Sequence, residues 1–110
     1  MKLTDLNLLR EQAYIDGQWV EADDESRFTV TNPANGELIA EVASLGQAET
    51  ARAIAAAKAA LPAWREKTAK ERSAILRTWF NLIMENQEDL ARLLSWEQGK
   101  PLAESRGEIA

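Results

Sequence analysis

The hydrophobic period of this chain changes at Ser44, and that change limits the folds open to it. Before Ser44 the apolar residues come in short β-branched and aromatic runs separated by turn signals. After it they recur at helical spacing. A chain of this kind builds a small strand region first and a helical region second. Tyr14-Ile15-Asp16-Gly17-Gln18-Trp19-Val20 reads as a hairpin, because Asp-Gly between apolar pairs supplies the positive φ values of a two-residue turn. Phe28 to Thr31 and Leu38 to Ala43 read as two further strands, joined by the turn Asn32-Pro33-Ala34-Asn35-Gly36. Leu3 to Gln12 predicts a short amphipathic helix with Thr4 as its N-cap.

The helical half divides at its punctuation residues. Gln47 to Leu61 is an alanine-rich helix stopped by Pro62, with Trp64 at the junction that follows. Thr68-Ala69-Lys70-Glu71 is a capping box, in which hydroxyl and carboxylate each take a free backbone N–H. The helix it opens places Ile75, Leu76, Trp79, Phe80 and Ile83 on one stripe, which predicts core packing for Trp79. Asn86 is expected to cap a third helix, with Glu88 and Asp89 as dipole partners and Leu90, Leu93 and Leu94 as the buried face. Gly99 ends it and Pro101 opens a fourth. That last helix has no terminating glycine, and Glu108 sits where the dipole prefers a cation, so the native chain is expected to continue.

Charge and composition exclude several classes. The net charge of -5 opposes a nucleic-acid or anionic-membrane partner. Without Cys or His there is no disulfide, no thiolate or imidazole zinc site, no thiol nucleophile and no His-based triad. No apolar run reaches signal-peptide or membrane-spanning length, and the expected location is the cytoplasm. No two glycines have the spacing of a phosphate-binding loop. Asp23-Asp24-Glu25 could offer oxygens to a hard cation, but the EF-hand spacing is missing and a solvated loop is the expectation. The basic group from Arg65 to Arg77 is interleaved with Glu66 and Glu71 and reads as a solvated helix face. A two-carboxylate hydrolase has no pair of acids singled out for it.

Four segments together resemble one family. They are Asn32-Pro33 followed by Gly36-Glu37, Ala60-Leu61-Pro62-Ala63-Trp64, Glu71-Arg72, and Glu97-Gln98-Gly99-Lys100-Pro101-Leu102-Ala103-Glu104. In that order and spacing they resemble the opening of an aldehyde dehydrogenase. Trp79-Phe80-Asn81-Leu82 and Glu85-Asn86-Gln87 look like the bacterial NAD(P)-dependent succinate-semialdehyde type. Trp96 departs from the family, whose members usually carry a smaller or aliphatic residue there.

The resemblance implies an α/β fold, in which residues 1–110 are the β-hairpin and strand region and the first helices, the N-terminal part of a Rossmann-like cofactor-binding domain. In the family a cysteine forms a thiohemiacetal, hydride passes to NAD or NADP, a glutamate is the general base and an asparagine stabilises the oxyanion. All of these lie downstream of position 110, so no catalytic or cofactor-binding residue and no bound nucleotide is expected in this chain alone. The resemblance also implies a monovalent cation held by the carbonyls of Val30 and Thr31 and by Glu97, an ordinary solvated Glu97 being the alternative. The expected partners are the remainder of the dehydrogenase chain or an intact dehydrogenase subunit, within a homo-oligomer. A non-catalytic interaction module derived from such an enzyme is the alternative.

Overall fold

The computed structural model describes residues 2–110, and its element order matches the change of period. β1 (Ala13–Ile15) and β2 (Gln18–Val20) form an antiparallel hairpin in which Tyr14 faces Trp19. Asp16 and Gly17 turn it at φ 52° and 75°, the left-handed pair that a type I′ turn demands. β3 (Arg27–Thr31) and β4 (Leu38–Ala43) form a second antiparallel pair. The register slips between Val30 and Thr31: Val30 faces Ala40 while Thr31 faces Leu38, so Ile39 is a bulge. The two ladders are tied by the Ala43 N–H, which donates to the Glu11 carbonyl at 2.8 Å.

Four helices follow: α1 (Gln47–Glu66), α2 (Ala69–Glu85), α3 (Gln87–Gln98) and α4 (Leu102–Ile109). The Thr68 box is formed as expected. The Glu71 N–H donates to the Thr68 hydroxyl at 3.2 Å and the Thr68 N–H donates to the Glu71 carboxylate at 2.8 Å. Thr68→Ala should therefore destabilise α2 by about 1 kcal/mol. The check is the cold helicity of a peptide spanning residues 66–86, and an unchanged helix content would mean that α2 starts elsewhere.

Several expectations need correction. Leu3 to Gln12 is not a helix. It makes one 3₁₀ turn, Leu6–Leu8, capped by Asp5 rather than Thr4. The cause lies far along the chain: the Asp89 carboxylate accepts the N–H groups of Thr4 and Asp5 at 2.8–3.0 Å and holds the segment extended. Helix α1 runs through Pro62 to Glu66, with Trp64 inside it. The proline removes the partner of the Lys58 carbonyl, but Lys58 and Pro62 are both exposed, so water can take that carbonyl. Asn86 does not cap α3 with its side chain, which donates instead to the Leu82 carbonyl at 2.9 Å. Pro101 sits one residue before α4 and not at its first position. Trp79 is not in a core: it is 63% exposed, and Ile75, Leu76 and Phe80 are exposed with it.

Little of the molecule is closed. Among the described residues only Leu3, Ala22, Ala40, Ala91 and Leu93 are buried apolar side chains. The accessible surface is 8069 Å², against about 6,100 Å² for a compact folded monomer of this mass. The radius of gyration, 16.7 Å, also exceeds the roughly 13 Å of a compact domain of this length. Helices α3 and α4 pack on each other, while α1 and α2 reach away from that pair with apolar faces uncovered.

Candidate functional site

The best-built part of the chain is the junction of α3, α4 and the turn after β3. Gly99 ends α3 in the left-handed region at φ 81°, and its N–H donates to the Ser95 carbonyl at 2.8 Å. A Cβ on Gly99 would lie 2.9 Å from Cγ of Pro33, so the α3 terminus and the Asn-Pro turn are in close contact. The turn is closed by its own bonds: the Gly36 N–H donates to the Asn32 carbonyl at 2.7 Å and the Asn32 N–H to the Glu37 carbonyl at 2.8 Å. Beside it, Asn32, Arg92, Ser95, Trp96 and Leu102 line a recess of about 360 Å³.

Helix α4 is fastened to α3 at both ends. The hydroxyls of Ser95 and the fully buried Ser105 share a hydrogen bond of 2.7 Å. Arg106 donates twice to Glu88, at 2.8 Å each, and Glu108 pairs with Lys100, which answers its unfavourable place at the helix end. The Arg106 guanidinium holds the Glu88 carboxyl below the usual carboxylate range, and the backbone donors of Thr4 and Asp5 do the same for Asp89. Both acids are therefore ionised across neutral pH. Their contribution is present above the ordinary carboxylate pKa and is lost as pH falls through the lowered values.

Among the site residues named from the sequence, Val30 is half-buried and Thr31 exposed, at the point where the β3–β4 ladder is interrupted. Glu97 is exposed on the last turn of α3, two residues before the glycine that meets Pro33. The fold thus brings the two segments to one junction. Among the described residues no hydrogen bond or ion pair joins Glu97 to β3. Also among the described residues, no group of three or more Asp and Glu forms a metal-binding cluster. The acidic loop is engaged otherwise: Asp23 pairs with Arg52 at 2.5 Å, and Asp24 accepts the Ser26 N–H at 2.9 Å.

Two acids with structural work were not legible as such. Buried Asp89 holds the N-terminal segment, and buried Glu49 accepts the N–H groups of Gly46 and Asp23 at 3.3 Å. For Glu49 the signal was its place three residues into a helix start, where a carboxylate reaches back to the backbone. No thiol, imidazole or phosphate-binding loop exists to make a catalytic constellation here.

Residues 19–110 match the aldehyde dehydrogenase family. The chain belongs to that family. It is 63% identical over its whole length to a glutarate-semialdehyde dehydrogenase of Pseudomonas putida, covering 23% of that protein. It is 59% identical to the NADP(+) succinate-semialdehyde dehydrogenase of Escherichia coli, again over all of this chain and 23% of the relative. A crystal structure of an E. coli NADP-dependent enzyme superposes with a TM-score of 0.95 at 59% identity, covering 98% of this chain and 22% of that one. The chain thus spans about a quarter of the length of the relatives it matches. The α/β order of short strands followed by helices is that of aldehyde dehydrogenases, and the relatives named here include NADP-dependent ones. Among the described residues no helix is long and apolar enough to cross a membrane.

Proposed function

We propose that residues 1–110 are the N-terminal part of the cofactor-binding domain of an NAD(P)-dependent dehydrogenase that oxidises succinate semialdehyde to succinate. The observation that carries this is the match over the entire chain, at 59–63% identity, to dehydrogenases of two short acid semialdehydes. The chain supplies scaffold: the strand region, the α1–α2 arm and the fastened α3–α4 pair. The thiol chemistry and the nucleotide contacts belong to further polypeptide. The relatives matched over the whole chain are dehydrogenases, and no observation favours a non-catalytic module instead. A cysteine-free chain suits a reducing compartment, and the reading places the homo-oligomeric enzyme in the cytoplasm.

The test is a chimera in which this chain replaces the matching segment of the E. coli relative. Its kcat/KM for succinate semialdehyde with NADP+ should stay within about tenfold of the parent. A folded chimera that loses more than about a hundredfold would contradict the reading.

The same reading includes a monovalent cation held by Glu97 and the carbonyls of Val30 and Thr31. Two features support it: the interrupted ladder at those two residues, and the Gly99–Pro33 contact that brings the β3 and α3 segments together. Hard cations take oxygen ligands, and one carboxylate suits one positive charge. In the chimera, Glu97→Gln should abolish most of the rise in Tm that K+ gives over tetramethylammonium at equal ionic strength. Equal Tm in the two salts before mutation would mean that no such site operates.

A further inference from the structure

Residues 2–9 lie against the first half of α3 as a strap. The strap has one 3₁₀ turn and one buried side chain, Leu3, at 7% exposure. Among the described residues, every hydrogen bond between it and the rest of the chain goes to Asp89 or Arg92. The Asp89 carboxylate takes the N–H groups of Thr4 and Asp5, and the Arg92 guanidinium donates to the Lys2 carbonyl at 3.1 Å. With a single buried apolar side chain behind these bonds, the strap belongs to the low-stability end of the molecule, and its order depends on two side chains of α3.

Arg92 is not committed to the strap alone. Its Nη1 lies 3.6 Å from Oδ1 of Asp89, and its Nη2 lies 3.6 Å from Oε1 of Glu88. Both gaps exceed hydrogen-bond length, whereas the bond to Lys2 falls within it. The reason that Glu88 stands off is visible in α4. Arg106 holds Glu88 with two parallel bonds of 2.8 Å, Nε to Oε2 and Nη2 to Oε1, the strong fork geometry of guanidinium and carboxylate. Arg106 is itself anchored, because the Gln87 side chain donates to its carbonyl at 3.0 Å. Glu88 and Arg92 are four residues apart with the acid first, the order in which a helical pair attracts best. Without Arg106, Glu88 presents an unshared negative charge to Nη2 of Arg92. Closing that gap draws the planar guanidinium away from the Lys2 carbonyl and from Asp89, which both face Nη1.

We propose that Arg106 on α4 keeps the strap closed by occupying Glu88, and so leaves Arg92 to the strap. Arg106 and Glu88 are positioning residues, since among the described residues neither bonds to residues 2–9 and both act through Arg92. The fourth helix and the strap are thereby coupled across the first turns of α3. Anything that draws Arg106 from Glu88 loosens a segment far along the chain. The inference goes beyond the functional reading and does not depend on it.

The experiment is hydrogen–deuterium exchange of the peptide covering residues 2–9 in the folded chimera at neutral pH. Arg106→Gln should speed exchange of the strap amides about threefold. Glu88→Gln should leave their protection intact, because it removes the competitor. The double variant Arg106→Gln/Glu88→Gln should return exchange to the parent rate. Asp89→Asn should speed it at least about tenfold, since an NH₂ group then faces the N–H groups of the strap. Arg106 and Glu88 are roughly half exposed, so their variants disturb no core, and they decide the matter even where Asp89→Asn does not fold. A double variant as loose as Arg106→Gln overturns the proposal, because α4 would then hold the strap by packing and not through Arg92. Loosening by Glu88→Gln alone overturns it too, because Glu88 would then orient Arg92 instead of competing for it. An active chimera whose strap ignores Arg106→Gln contradicts the coupling and leaves the functional reading intact. A folded but inactive chimera with the expected pattern supports the coupling and removes the functional reading.

Discussion

Replacing Gly99 by alanine in the chimera is expected to destabilise it by roughly 2–4 kcal/mol, seen as a lowered urea midpoint at unchanged slope. Two independent penalties meet at this position. The backbone φ of 81° lies in the left-handed region, where a Cβ crowds the following carbonyl. The added methyl would also fall 2.9 Å from Cγ of Pro33, a ring atom that cannot rotate away. Gly36 provides the control. Its φ of 75° is nearly the same, but nothing lies within 4 Å of its Cβ position. Gly36→Ala should cost only about 1–2 kcal/mol, the conformational penalty by itself. The difference between the two variants measures the contact between the α3 terminus and the Asn-Pro turn. If they lose equal stability, the two segments do not press on each other, and the junction that unites Val30, Thr31 and Glu97 is looser than described.

What could be read from the sequence was what neighbours in sequence decide. The Asp16-Gly17 hairpin, the Asn32–Gly36 turn, the Thr68–Glu71 box and the Gly99 terminus each depend on bonds among a few consecutive residues, and each formed as expected. The misreadings came from distant partners or from solvent. Leu3 to Gln12 had a helical pattern, but Asp89, 84 and 85 residues away, claims the amides that a helix start would leave free. Pro62 looked like a stop, yet exposure of Lys58 makes its lost hydrogen bond cheap. The α2 stripe was visible in the periodicity, but a stripe says nothing of what covers it, and Trp79 is 63% exposed in the fold. At the junction, Gly99 was legible as a helix end. Its contact with Pro33, across 66 residues of sequence, had no local signal.

The free 110-residue chain should behave as an incompletely packed protein. Twelve large apolar side chains are exposed, including Trp79, Phe28, Ile54 and Leu61, against five buried apolar residues among those described, three of them alanines. Each alanine buries little area, so the hydrophobic gain that must offset chain entropy is small. Helices α1 and α2 lean on the rest through few contacts and should lose fixed packing first. Secondary structure should persist in the far-UV while tertiary order is weak, with dye bound to the open apolar faces. A thermal melt of the dilute free chain, followed by near-UV ellipticity and by ANS fluorescence, tests the proposed reading that this segment packs fully only within a longer dehydrogenase. On that reading ANS binds strongly, the near-UV signal is weak and helix is lost broadly, without cooperativity. A sharp two-state melt of a monomer with little ANS binding would contradict it.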